Sequence, residues 1–140
     1  MRRELHDLHV AHIREFLGRL PAEIISDSVP LTGKCRVTDE PVPFARRRGR
    51  AGDYRPIKVG EEWGTAWQNA WFHLTGSVPR AWAGADVALR FDANGESLVF
   101  DAEGTPFYGL TNGSVFARGY TKDICRLFEP CQGGEKVDLW

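Results

Sequence analysis

His6, His9 and His12 recur every three residues near the start of the chain. On a helix this spacing puts neighbouring imidazoles on adjoining positions, within reach of one metal ion. No cysteine or carboxylate at a matching spacing completes a ligand set. His9 and His12 instead fall among Leu5, Leu8, Phe16 and Leu20, where imidazoles more often hydrogen-bond across a packed interface than bind metal. Leu5, His9, His12 and Phe16 therefore mark a candidate docking face. A second signal is aromatic: Trp63, Trp67, Trp71, Trp82 and Trp140 are many indoles for 140 residues. Planar rings serve as platforms for the apolar face of a sugar, and they serve equally to fill a core or an interface, where each buries roughly 150–250 Å². The structural role is the favoured one. Trp63, Trp67, Trp71 and Trp82 are the candidates for sugar stacking or for a domain interface.

Other chemistries find less support. The acidic stretches Asp92-Ala93-Asn94-Gly95-Glu96 and Asp101-Ala102-Glu103-Gly104 hold the carboxylates that a glycosidase or a calcium loop requires, but both read more simply as hairpin turns. There is no Gly-x-Ser-x-Gly elbow, phosphate loop or Rossmann fingerprint. Arg46-Arg47-Arg48-Gly49-Arg50 is the one basic run, and it reads as a solvated loop because the formal charge of −1 sets up no field for nucleic acid or an anionic membrane. Cys35, Cys125 and Cys131 form an odd set without Cys-x-x-Cys spacing and read as reduced structural thiols; a Cys125–Cys131 bridge across a hairpin is the minor alternative. No catalytic or metal-ligating residue is assigned.

The elements that must position these residues are one helix and many short strands. Leu5, Leu8, Ile13, Phe16, Leu17 and Leu20 share one broad helical face, and Pro21 is expected to end the helix after Leu20. From there, β-compatible runs separated by Gly, Pro, Asn and Asp predict strands at Ile24–Ser26, Tyr54–Val59, Ala70–Val78, Val87–Phe91, Leu98–Phe100, Gly113–Phe116 and Lys136–Trp140. In Ala70–Val78 the alternation sends Phe72, Leu74 and Val78 one way and Trp71, His73 and Thr75 the other, which leaves Trp71 the most ambiguous of the indoles. Asn94-Gly95, between two strands, is the pair expected to form a tight hairpin. Residues 35–53, rich in Pro, Arg and Gly, predict a long loop draped over the sandwich. The organisation expected is a helix over residues 1–21 and a β-sandwich over 22–140, truncated at its C-terminal strand. No apolar run approaches the roughly 18 residues of a spanning helix, and the N-terminus has no secretory apolar stretch, so a cytoplasmic protein is expected.

In order and spacing, Tyr54-Arg55-Pro56-Ile57-Lys58-Val59-Gly60, Trp63-Gly64, Trp71-Phe72, Val78-Pro79-Arg80-Ala81-Trp82-Ala83-Gly84, Leu89-Arg90-Phe91-Asp92, Gly95-Glu96, Leu98-Val99 and Gly109-Leu110-Thr111 form one series. It resembles the N-terminal module of glycoside hydrolase family 38 α-mannosidases of the cytosolic and bacterial type. The resemblance runs from about Leu5 to Trp140. It implies a mainly β fold, a sandwich of jelly-roll or galactose-binding-like type behind one amphipathic N-terminal helix. It further implies an accessory, non-catalytic role beside a catalytic barrel or in a homo-oligomer, in a parent enzyme that removes terminal α-linked mannose. The zinc ion and the aspartate nucleophile of such an enzyme belong to the barrel, and none of their residues carries over onto this chain. The alternative is an autonomous carbohydrate-binding sandwich that takes a mannose-containing oligosaccharide.

Overall fold

The computed structural model describes residues 2–113 and 121–140, in two compact units, residues 1–30 and 31–140. The first contains α1 (Arg2–Ile24), rich in the helix-favouring Leu, Ala, Arg and Glu and braced by an Arg19–Glu15 ion pair of 3.4 Å one turn apart. The helix runs through Pro21 instead of stopping before it. The locked φ of proline is itself a helical value, so the cost is one hydrogen bond to the Leu17 carbonyl and some crowding, and one further turn continues. That turn takes Ile24, so the strand expected at Ile24–Ser26 does not form. Leu5, Leu8, Ile13, Phe16 and Leu17 are all exposed, as are His6, His9 and His12. Among the described residues no helix is long and apolar enough to cross a membrane.

The second unit is all β. Its first layer is an antiparallel sheet in the order β2-β1-β3-β8, from β1 (Thr32–Thr38), β2 (Arg55–Ile57), β3 (Asn69–Ser77) and β8 (Lys136–Leu139). In it Cys35 pairs with Phe72 and Leu74 with Leu139. The second layer comprises the antiparallel pairs β4 (Val87–Arg90) with β7 (Ile124–Phe128) and β5 (Glu96–Phe100) with β6 (Pro106–Thr111). Thr111 and Lys122 exchange backbone bonds of 3.0 and 2.7 Å and join β6 to the segment that leads into β7. Phe100 and Trp140 exchange two more, at 2.8 and 3.0 Å, which tie the end of β5 to the end of the first layer. Among the described residues eight strands thus form two layers of antiparallel structure.

Period-two alternation accounts for the core. β4 buries Val87 and Leu89 and exposes Ala88 and Arg90; Val99, Leu110, Cys125, Val137 and Leu139 face the same interior. Each Val or Leu so buried contributes roughly 1.5–3 kcal/mol of transfer free energy. Two expectations need correction here. The loop foreseen from residue 35 begins only after Thr38, because Cys35 and Val37 alternate with Lys34 and Arg36 in β1, with Cys35 buried between β2 and β3. Asn94-Gly95 does not close a hairpin: β4 and β5 take different partners, only Asn94 of the two has a positive φ (57°), and the segment passes between strand pairs. The true hairpin is β5–β6, closed by Asp101, whose Oδ1 accepts from the Gly104 and Thr105 amides at 2.7 Å each. The strand expected at Gly113–Phe116 lies, beyond Gly113, outside the described residues.

Candidate functional site

The segment between β1 and β2 covers the Trp71–His73 face of β3, and Arg47 holds it down. Arg47 is 7% exposed, although Arg46, Arg48 and Arg50 beside it are exposed, so the solvated basic run is corrected at this residue. Its guanidinium lies 3.5 Å from the centroid of Phe44 and 4.5 Å from that of Trp140, donating to the Phe44 and Ala102 carbonyls at 3.2 and 3.4 Å. Stacking against two ring faces offsets the desolvation of a charge that water would otherwise hold. The Arg47 carbonyl accepts from the Tyr54 hydroxyl at 2.6 Å and from Arg36 Nη1 at 3.3 Å, and Arg36 Nε reaches Asp53 at 3.3 Å. Burial pushes the Tyr54 phenol up to about 12, against the pull of Arg36 and Arg47. Below the same segment His73 stacks on Trp140, centroids 4.0 Å apart and planes 9° apart, and its Nε2 lies 2.9 Å from Asp138 Oδ1.

Beside this cluster opens a cleft of about 290 Å³. Trp63, Trp71, Phe91 and Phe100 line it, and Asn69, Glu96 and Ser97 also contribute to the lining. The Trp63 indole donates to the Ala93 carbonyl and the Trp71 indole to the Val42 carbonyl, both at 2.8 Å, and both rings sit edge-on or tilted against phenylalanines. Trp63 and Trp71 are therefore half-buried walls with fixed orientation. Trp82 lies elsewhere, packed against the core in the short 3₁₀ turn Arg80–Trp82, where its carbonyl accepts from the Cys131 thiol at 2.8 Å.

Trp67 is unlike the other three. It is 97% exposed and its φ of 71° is left-handed, a conformation that costs a bulky side chain on the order of 1–3 kcal/mol. Gln68 locks the turn around it: Oε1 accepts from the Thr65 amide at 3.0 Å, Nε2 donates to Asp39 at 2.8 Å, and its own amide bonds the Thr65 carbonyl at 3.2 Å.

The structure thus brings Trp63 and Trp71 to one cleft, leaves Trp67 in solvent and puts Trp82 on another face. Leu5, His9, His12 and Phe16 lie exposed on α1. Among the described residues no group of three His, Cys, Asp or Glu side chains could hold a metal ion. The three cysteines are buried free thiols, so the Cys125–Cys131 bridge is not formed. Sequence reasoning missed Arg47, which nothing distinguishes within its basic run, and it took Glu96 as part of a turn and of the family series, not as a site residue.

The profile described as "Alpha-mannosidase, jelly roll domain" matches residues 29–140. Human alpha-mannosidase 2C1 is 37% identical over 75 residues, covering 54% of this chain and 7% of that protein. The mouse alpha-mannosidase 2C1 is 32% identical over 92 residues, 66% of this chain and 9% of the relative. Alpha-mannosidase G of Dictyostelium discoideum is 27% identical over 88 residues, 63% and 8%. The chain spans less than a tenth of the length of these relatives. With about four-fifths of its sequence matched to one domain type, the chain belongs to the alpha-mannosidase jelly-roll domain family.

Proposed function

We propose that this chain acts as the non-catalytic N-terminal jelly-roll domain of an α-mannosidase, supporting the catalytic barrel that removes terminal α-linked mannose. The observation that carries this reading is the match over residues 29–140 to a domain whose relatives are more than ten times longer than the matched segment. Several carboxylates serve the fold: Asp101 closes a hairpin, Asp53 holds Arg36, and Asp123 accepts from Arg90 at 2.9 Å. In this reading the zinc of the parent enzyme is bound by residues outside this chain; the described side chains offer it no site. Exposed Leu5 and Phe16, with His9 and His12, form the face by which α1 docks on the barrel. Three buried free thiols suit a reducing, cytoplasmic setting.

The test is hydrolysis of an aryl α-mannoside by the 140-residue chain, with and without added zinc. No turnover is expected. Zinc-dependent turnover would show that the chain itself is catalytic and overturn the reading. A second role, glycan binding, is favoured by one observation, the aromatic cleft beside Glu96 and Ser97.

A further inference from the structure

We propose that the cleft and Trp67 together form a binding site for a neutral α-mannose oligosaccharide, with one hexose in the cleft and the next stacked on the Trp67 indole. The choice of mannose rests on the α-mannosidase reading above; the site itself rests on geometry.

A hexose presents an apolar C–H face and a rim of hydroxyls, so it requires a rigid aromatic surface and a few hydrogen-bonding groups at its edge. The cleft supplies the first. Its indoles at Trp63 and Trp71 have spent their N–H groups on the Ala93 and Val42 carbonyls, which fixes the rings before any ligand arrives and leaves them as apolar walls. The fold also supplies the second. Among the described residues the Glu96 carboxylate and the Ser97 hydroxyl have no hydrogen-bond or ionic partner, although both line the cleft, and Asn69 engages only its nitrogen, weakly, at 3.5 Å. An ionised carboxylate accepts only, so it suits adjacent hydroxyls and rejects a phosphorylated or acidic sugar. That selects a neutral glycan.

Trp67 extends the site. It stands two residues before Asn69, a residue of the cleft lining, so their Cα atoms lie within about 8 Å. The turn holds this ring in solvent against backbone strain by means of the Gln68 clamp, an arrangement that no internal packing explains, because the indole is 97% exposed. A preformed platform beside a preformed cleft accounts for both features.

The test is an amide NMR titration of the 140-residue chain with methyl α-mannoside and with an α-linked mannobiose. Both are expected to shift the Asn69 and Ser97 amides with dissociation constants on the order of 1 mM, mannobiose binding about threefold to tenfold tighter. Trp67→Ala should abolish that advantage and leave the monosaccharide unaffected. Glu96→Gln, at an exposed position that leaves the fold intact, should weaken both sugars at least about fivefold. No shift at tens of millimolar sugar overturns the site, as does binding that survives Glu96→Gln. Self-association lost in Trp67→Ala without any sugar response assigns the indole to a protein contact and also overturns it. None of these failures bears on the non-catalytic reading, which the aryl mannoside assay tests separately.

Discussion

Replacing Arg47 by Ala should be the most damaging change in the basic run. The substitution removes two cation–π contacts, each worth about 0.5–2 kcal/mol when partly desolvated, and two long hydrogen bonds to carbonyls that together contribute about 1 kcal/mol. It returns some desolvation energy, because Arg47 Nε is buried without a hydrogen-bond partner among the described residues. The net loss expected is about 2–4 kcal/mol. For a chain of this size 1 kcal/mol shifts Tm by about 3–4 °C, so the midpoint should fall by about 10 °C. Urea unfolding at 25 °C should show a lower midpoint at unchanged slope, nearly independent of salt, because the charge is shielded from solvent. Arg47→Lys should lose about half as much, since an ammonium keeps the charge but not the flat stacking surface. Arg46→Ala and Arg48→Ala, both exposed, should stay within about 0.5 kcal/mol of the parent. An Arg47→Ala protein as stable as these two would refute the argument that this residue pins the covering segment.

Three further outcomes follow from the same geometry. Tyr54, raised to about 12, should ionise late in a spectrophotometric titration, and that late step should vanish in Tyr54→Phe. Because the folded state favours the neutral phenol over an ordinary value near 10, its contribution is fully present below about pH 10 and is lost as pH rises towards 12. Burial raises the Cys35 and Cys125 thiols, so both should resist a thiol reagent at pH 8 until urea exposes them, when all three cysteines should react; fewer than three would reveal a bridge. Gly104→Ala should destabilise by about 1–3 kcal/mol, read by thermal unfolding, because φ is 102° and an added Cβ would collide with the Phe44 ring.

Legibility in the sequence followed the strength of local signals. β3 and β4 were foreseen because their apolar residues alternate with period two between turn residues, and β2, β5 and β8 were foreseen as β-compatible runs. β1, β6 and β7 were not. In β1 the alternating residues are Gly33, Cys35 and Val37, too small to stand out between charged neighbours, and in β6 Pro106 and Gly109 read as punctuation. The Asn94-Gly95 error has a different origin: a turn signal reports the local backbone, whereas β4 and β5 choose partners distant in sequence. Arg47 could not be singled out because its burial depends on Phe44, Ala102 and Trp140 converging from three parts of the chain. The indoles were named as candidates, but which were walls and which was solvent-facing is a property of the turn around Gln68 and of the Ala93 and Val42 carbonyls, which no periodicity encodes.

The central claim, that this chain is a supporting jelly-roll domain for an α-mannosidase, is tested most directly by transplantation. The segment of human alpha-mannosidase 2C1 that matches this chain would be deleted in one variant and replaced by residues 29–140 in another, and hydrolysis of an aryl α-mannoside measured for both beside the parent. The account predicts that deletion abolishes activity and that the transplant restores a substantial part of it. Full activity in the deletion variant, or a transplant as inactive as the deletion although soluble and folded, would contradict the account.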